Sequence, residues 1–206
     1  MIDVIRKRFA KEVIQLSFIK SPFNIAKGHF RTRILKSLNE KWKEKEMLSF
    51  QDSIFSEIEK KSDNKVVEVL IWQPKSARFS FVVFFTNMSD GWDTLLSNYT
   101  RVFNEDIISI KLSCGNAKYP VYSFDYKKGD KQRLIRSMKD INKWEFFEKG
   151  EVYDFENTAN YKKRRIADRI NNELIIDYLN KIGINIKDDQ FWISQKAIRF
   201  WTDLRD

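Results

Sequence analysis

The chain predicts an α+β fold: a single antiparallel meander sheet of about five or six strands, helices packed on one face, and helical N- and C-terminal segments. Three observations predict it. Two consecutive stretches, "KVVEVLIWQP" (65–74) and "RFSFVVFFTN" (78–87), are rich in β-branched and aromatic residues and joined by a short connection. Further stretches between 106 and 150 read as strands joined by turns, which makes hairpins rather than βαβ units. On either side, apolar residues recur at helical spacing. The 206 residues are 42% hydrophobic and 15% aromatic, enough for one sizeable core. Six Gly and three Pro leave little room for repeats or flexible linkers, so 1–206 reads as a single domain.

Residues 1–62 form the basic, mostly helical N-terminal part. Ile5, Phe9, Val13 and Leu16 follow helical spacing, although "VIQLSFI" also reads as a strand. Ser21-Pro22 interrupts this stretch. Phe30, Ile34, Leu38 and Trp42 lie four apart and predict a second helix with a Lys/Glu outer face. "SFQD" (49–52) resembles a capping box with Ser49 as cap, and Ile54, Phe55 and Ile58 would face inward from the helix after it.

Residues 65–150 hold the sheet, with an inserted helix over 91–103. The two apolar stretches predict a hairpin. "SDGW" opens the helix with Asp90 as N-cap, and Trp92, Leu95, Leu96, Tyr99, Val102 and Phe103 make its inward stripe. "DIISIKLS" (106–113) and "YPVYSFDY" (119–126) predict strands; Pro120 stands near a strand start, where it is tolerated. A "KKGD" turn leads to "KQRLIRSMKD" (131–140) and "NKWEFFEKG" (142–150). Residues 160–206 predict helices. Ile166, Ile170, Leu174, Tyr178 and Ile182 make one long stripe, and Gly183 stands where a left-handed C-cap belongs. A last helix would start at Ser194, with Ile193 and Ile198 as a hydrophobic staple.

Several kinds of chemistry are missing. One histidine, His29, and one cysteine, Cys114, cannot make a zinc site. One cysteine permits no intrachain disulfide, which fits a reducing cytoplasm. There is no phosphate-binding GxxxxGK[ST] or GxGxxG loop and no GxSxG elbow. No catalytic residue, metal or cofactor is therefore expected, and the chain reads as a non-enzyme. Lys11, Glu12, Gln15 and Lys20 interrupt the apolar N-terminal run, so neither a signal peptide nor a membrane partner is expected.

The formal charge is +9, and the excess is mainly N-terminal: residues 1–50 carry 12 Lys/Arg against 5 Asp/Glu. A basic excess favours acidic partners. One candidate nucleic-acid surface is Arg6, Lys7, Arg8, Lys27, Arg31, Arg33, Lys41 and Lys43. A second basic run, Lys162, Lys163, Arg164, Arg165 and Arg169, falls at the predicted start of a helix, where the dipole disfavours cations. Either nearby acids compensate it, Glu156 and Asp154 upstream or Asp168 and Glu173 within a turn, or phosphate or an acidic partner does. Asp90 and Asp93 at the helix opening complete the candidate partner-binding set.

Four blocks, "SDGWDTLLSNYTRVF", "YPVYSF", "RLIRSMKDINKWEFFEKGEVYDFEN" and "YKKRRIADRINNELIIDYLNKIGI", occur in an order that resembles a set of small bacterial proteins of immunity or antitoxin type, which accompany secreted toxins. The recurring features are D-G-W opening a helix, R-x-[IV]-R, a basic residue before W-x-F, then F-E and Y-x-x-R-R-I-x-D-R. The resemblance covers roughly residues 65–193 and omits the basic N-terminal third. Lys143 stands where an arginine is more usual. The resemblance implies a cytoplasmic, non-catalytic protein that neutralises a cognate toxin by direct binding. The alternative is a nucleic-acid-associated protein using the N-terminal cations.

Overall fold

A computed structural model describes residues 7–34, 42–61, 66–75 and 81–203, without the side chains of 33, 34 and 203. The sheet has nine strands, all antiparallel, in the order β2-β9-β3-β4-β1-β5-β6-β7-β8. This corrects the expected five or six. The strands are β1 (Val13–Ile19), β2 (Lys43–Met47), β3 (Val66–Pro74), β4 (Val82–Thr86), β5 (Ile107–Ser113), β6 (Val121–Lys128), β7 (Lys131–Lys139), β8 (Trp144–Lys149) and β9 (Ser194–Asp203). The predicted β3–β4 hairpin and the β5–β8 meander both form.

The two ends of the chain are where helix was expected and strand is found. β1 lies in the middle of the sheet, between β4 and β5. Ile14, Leu16 and Phe18 face one side while Ile19 packs on the other. A strand buried on both sides needs apolar residues at nearly every position, and such a run imitates helical spacing. β9 lies between β2 and β3 and pairs with the whole of β3. Ile198 is buried, but Ile193 is 41% exposed, so the staple does not form. β2, "KEKEM", is an edge strand with its charges exposed. It carries no apolar alternation, and its Lys/Glu side chains oppose edge-to-edge pairing with another sheet.

The helices are short and lie on both faces, another correction. α1 (Phe23–His29), continued by a π-turn at Phe30–Ile34, and α3 (Asp93–Phe103) cover one face. α2 (Ser53–Lys60), α4 (Asn172–Lys181) and α5 (Asp189–Trp192) cover the other. The residue capping α2 is Asp52 rather than Ser49, so no capping box forms there. Ile54, Phe55 and Ile58 do face inward. Of the rest of the helix expected from Phe30 to Trp42, residues 35–41 lie outside the described residues, and Trp42 stands just before β2 outside any helix. The long C-terminal helix contracts to α4. Before it come two 3-10 turns, Thr158–Lys162 and Ile166–Asp168, and the N-cap is Asn171, whose side chain accepts the Leu174 N–H. Gly183 has the expected positive φ of 88°, and Ile184 N–H returns to Leu179 O at 2.8 Å.

Candidate functional site

Strand register builds the site. Residues paired across antiparallel strands share a face. One row runs Gln15, Lys111, Ser123, Arg136, Phe147 across β1, β5, β6, β7 and β8. The next runs Ser17, Ser109, Asp125, Leu134, Lys149. A third holds Ile19, Ile107, Lys127 and Gln132. On the α3 side of β5–β7, then, the sheet surface is polar.

The first turn of α3 and the loop before it stand beside these rows. Gly91 and Trp92 both have positive φ, 68° and 60°, and the helix begins at Asp93. Trp92 tolerates this costly conformation while stacked on Trp42 at 5.7 Å. Asp90 is not the N-cap expected. Its Oδ1 accepts the Trp92 N–H at 2.9 Å, inside the loop. Gln15 Nε2 donates to Asp90 O at 2.9 Å and lies directly against Gly91, where any Cβ would overlap it. Within the expected stripe Leu96 and Tyr99 are buried, but Val102 is exposed.

The result is a cavity of about 180 Å³ lined by Gln15, Asp90, Asp93, Ser109, Lys111, Ser123, Asp125, Gln132, Leu134 and Arg136. At one side, buried Lys127 bridges Asp93 at 2.5 Å and Asp125 at 3.3 Å, and also donates to Ser97 Oγ at 2.8 Å. Gln132 donates to Asp125 at 2.9 Å. Burial raises the Asp125 carboxyl above the usual range, with Lys127 opposing it. Ser17 and Ser109 join their hydroxyls at 2.8 Å. By contrast, the Lys111 and Arg136 side chains make no hydrogen bond or ion pair to any other described residue, and burial lowers the Lys111 pKa.

Asp90 and Asp93 are thus at the cavity, but the basic run is not. Lys162, Lys163, Arg164 and Arg165 occupy exposed turns rather than a helix start, so no helix dipole opposes them. Arg169 lies over Phe146, on the opposite face of the sheet, and donates to Lys163 O. Glu156, a suggested counter-ion for this run, is engaged elsewhere. It takes hydrogen bonds from Arg133 at 2.7 and 3.0 Å, from Tyr161 at 2.9 Å and from the Tyr153 N–H at 2.9 Å. Arg133 also reaches Glu148 at 2.9 Å, and Tyr161 meets Tyr178 at 2.8 Å. This buried network pins the segment after β8 to the α4 side of the sheet. Three of the residues that carry the resemblance, Arg133, Glu156 and Tyr161, thus serve to hold the fold.

The N-terminal cations do not form one surface. Arg8 is buried beside Trp192, bridging Asp52 at 3.0 Å and Asp189 at 3.3 Å. Lys7 reaches Asp189 at 3.9 Å. Arg31 pairs with Glu44 and Glu46, and Lys27 with Glu46. Lys43 is exposed on β2. Arg6, Lys41 and the Arg33 side chain lie outside the described residues. His29 is partly exposed and stacked on Phe103 at 3.6 Å, and Cys114 is buried just after β5.

Sequence reasoning missed Lys111, Ser123, Asp125, Lys127 and Arg136 as a group. One signal was available. The tight turn between β6 and β7 pairs Lys128 with Lys131, and counting back from it aligns Ser123 with Arg136. Among the described residues, no group of three or more His, Cys, Asp and Glu side chains is placed to hold a metal ion. No helix among them is long and apolar enough to cross a membrane. Comparison with known protein families, curated proteins and solved structures found no match.

Proposed function

We propose that this is a non-catalytic binding protein of immunity type, which neutralises a cognate bacterial toxin by docking it on the uncovered half of the sheet. One observation carries the reading. Over β7 and β8 no helix among the described residues lies across the α3 side of the sheet, and Phe147 stands there 46% exposed, in one row with Arg136 and Lys111. An exposed aromatic beside an arginine is the composition favoured at the centre of protein interfaces. The hairpin end of β7–β8 adds Ile141, 71% exposed. The motif resemblance supports a toxin as partner, and the exposed surface supports this face as its docking place.

The test is Phe147→Glu. Its side chain is half exposed, so folding is expected to survive with an unchanged melting temperature. Binding to a toxin encoded beside the gene, and protection of cells expressing that toxin, are expected to fall at least tenfold. Protection left intact by the substitution rejects this face. Wild-type protein that neither binds nor protects against such a toxin rejects the immunity reading.

A further inference from the structure

We infer that the notch between Lys111 and Arg136 is a carboxylate site, and that its occupant is an acidic side chain of the protein partner. The inference deepens the docking proposed above and rests on it for the source of the carboxylate.

The register makes the notch. Lys111 and Arg136 both pair with Ser123, one from β5 and one from β7, so two long cations flank one small residue. Adjacent strands lie about 4.8 Å apart, which places the two Cα atoms roughly 10 Å apart, with the depression between them. Neither cation makes a side-chain hydrogen bond or ion pair to a described residue, Lys111 being attracted by Asp93, Asp90 and Asp125 without contacting them, and the Ser123 hydroxyl has no partner among the described residues either. Holding a half-buried ammonium unpaired is unfavourable, and an anion arriving between the two cations relieves it. Arg136 offers a planar fork that matches a carboxylate, and Ser123 adds a hydroxyl donor.

The surrounding acids select the charge of the ligand. Asp93 and Asp125 share Lys127, and Asp90 has no cationic partner among the described residues, so three acids stand against the three cations Lys127, Lys111 and Arg136. With those charges balanced, a monoanion adds the smaller excess of negative charge, and a phosphate dianion is repelled more strongly by the three aspartates. Phe147 and Leu134, flanking Arg136 in the rows, give the apolar rim that a partner surface, rather than a free metabolite, would cover.

The test uses the isolated, isotope-labelled protein and glutamate blocked at both main-chain ends. Saturable amide shifts are expected at Ser109, Lys111, Ser123 and Arg136, with blocked glutamine giving none. Lys111→Met and Arg136→Gln are expected to weaken the interaction at least tenfold, and Lys162→Gln, on the opposite face, to leave it unchanged. Equal shifts with blocked glutamine, or full binding by both pocket variants, overturn the site. Inorganic phosphate binding more tightly than blocked glutamate overturns the choice of a monoanion. Acetate binding as tightly overturns the partner side chain in favour of any small carboxylate. Since no toxin enters this experiment, the site can stand while the immunity reading fails, and the reverse.

Discussion

Strands β5, β6 and β7 have two surfaces that alternate residue by residue and obey different rules. On the α4 side, Leu16, Ile110, Phe124 and Ile135 form a fully buried row, and the nearby charges are paired: Arg133 with Glu156 and Glu148. On the α3 side, the row one residue along is Gln15, Lys111, Ser123, Arg136 and Phe147, with two cations unpaired and an aromatic half exposed. The same backbone hydrogen bonds support both. What differs is the cover. α4 and the 150–171 segment close one face, whereas α3 shields only part of the other. A surface closed by the chain itself must satisfy every buried group internally. A surface left open can carry groups whose partners belong to another molecule.

That contrast predicts an order of effects. The largest belongs to the closed face. Arg133→Met leaves the Glu156 carboxylate buried without its counter-ion and is expected to cost about 3–5 kcal/mol by chemical denaturation. A loss below 1 kcal/mol would mean the network is not closed. Phe124→Ala is expected to cost a comparable 3–5 kcal/mol. Ser123→Ala, its neighbour on the other face, is expected to change stability by no more than about 0.5 kcal/mol. Equal effects at the two positions would erase the distinction between the faces.

A middle effect falls where α3 meets the sheet. Gly91→Ala adds a Cβ at φ 68° against the Gln15 amide, and about 1–3 kcal/mol of stability is expected to be lost. The smallest effect has the opposite sign. Lys111→Met removes a partly buried cation without a partner, and stability at neutral pH is expected to rise by about 1 kcal/mol. The Lys111 pKa is lower in the folded chain than its ordinary value of 10.5. Between the two values the unfolded chain holds the extra proton, so wild-type stability rises with pH in the window just below 10.5. Lys111→Met is expected to lose that rise in melts recorded across alkaline pH. A variant less stable than wild type at neutral pH would make Lys111 a structural residue and remove the main support for the carboxylate site.

Much of the fold was legible, and the failures have physical causes. The β3–β4 hairpin and the β5–β8 meander could be read because β-branched alternation and tight turns are local signals. The left-handed Gly183 cap is local too. β1 was ambiguous because a strand buried on both sides has no alternation to display. β2 was invisible because an edge strand made of Lys and Glu looks like a solvated helix face until β9 pairs with it. β9 carries Ser194 and Ile198, with Ile193 just before it, spaced as a helix start, and pairing along the whole of β3 overrode that weak preference. The candidate site was legible only in its rim, Asp90 and Asp93. Its floor comes from three strands, and no local pattern states which polar positions will be neighbours.

By itself, then, the sequence determined a large apolar core, antiparallel hairpins, a helix opening at "SDGW" and the absence of Cys/His metal chemistry, because each follows from composition or from contacts a few residues apart. Only the tertiary structure decided that Arg133 and Glu156 are spent holding the fold while Lys111 and Arg136 face an open cavity. All four are charged residues in or beside strands. Their roles part according to which face of the sheet the rest of the chain covers, and that is a property of the assembled layers.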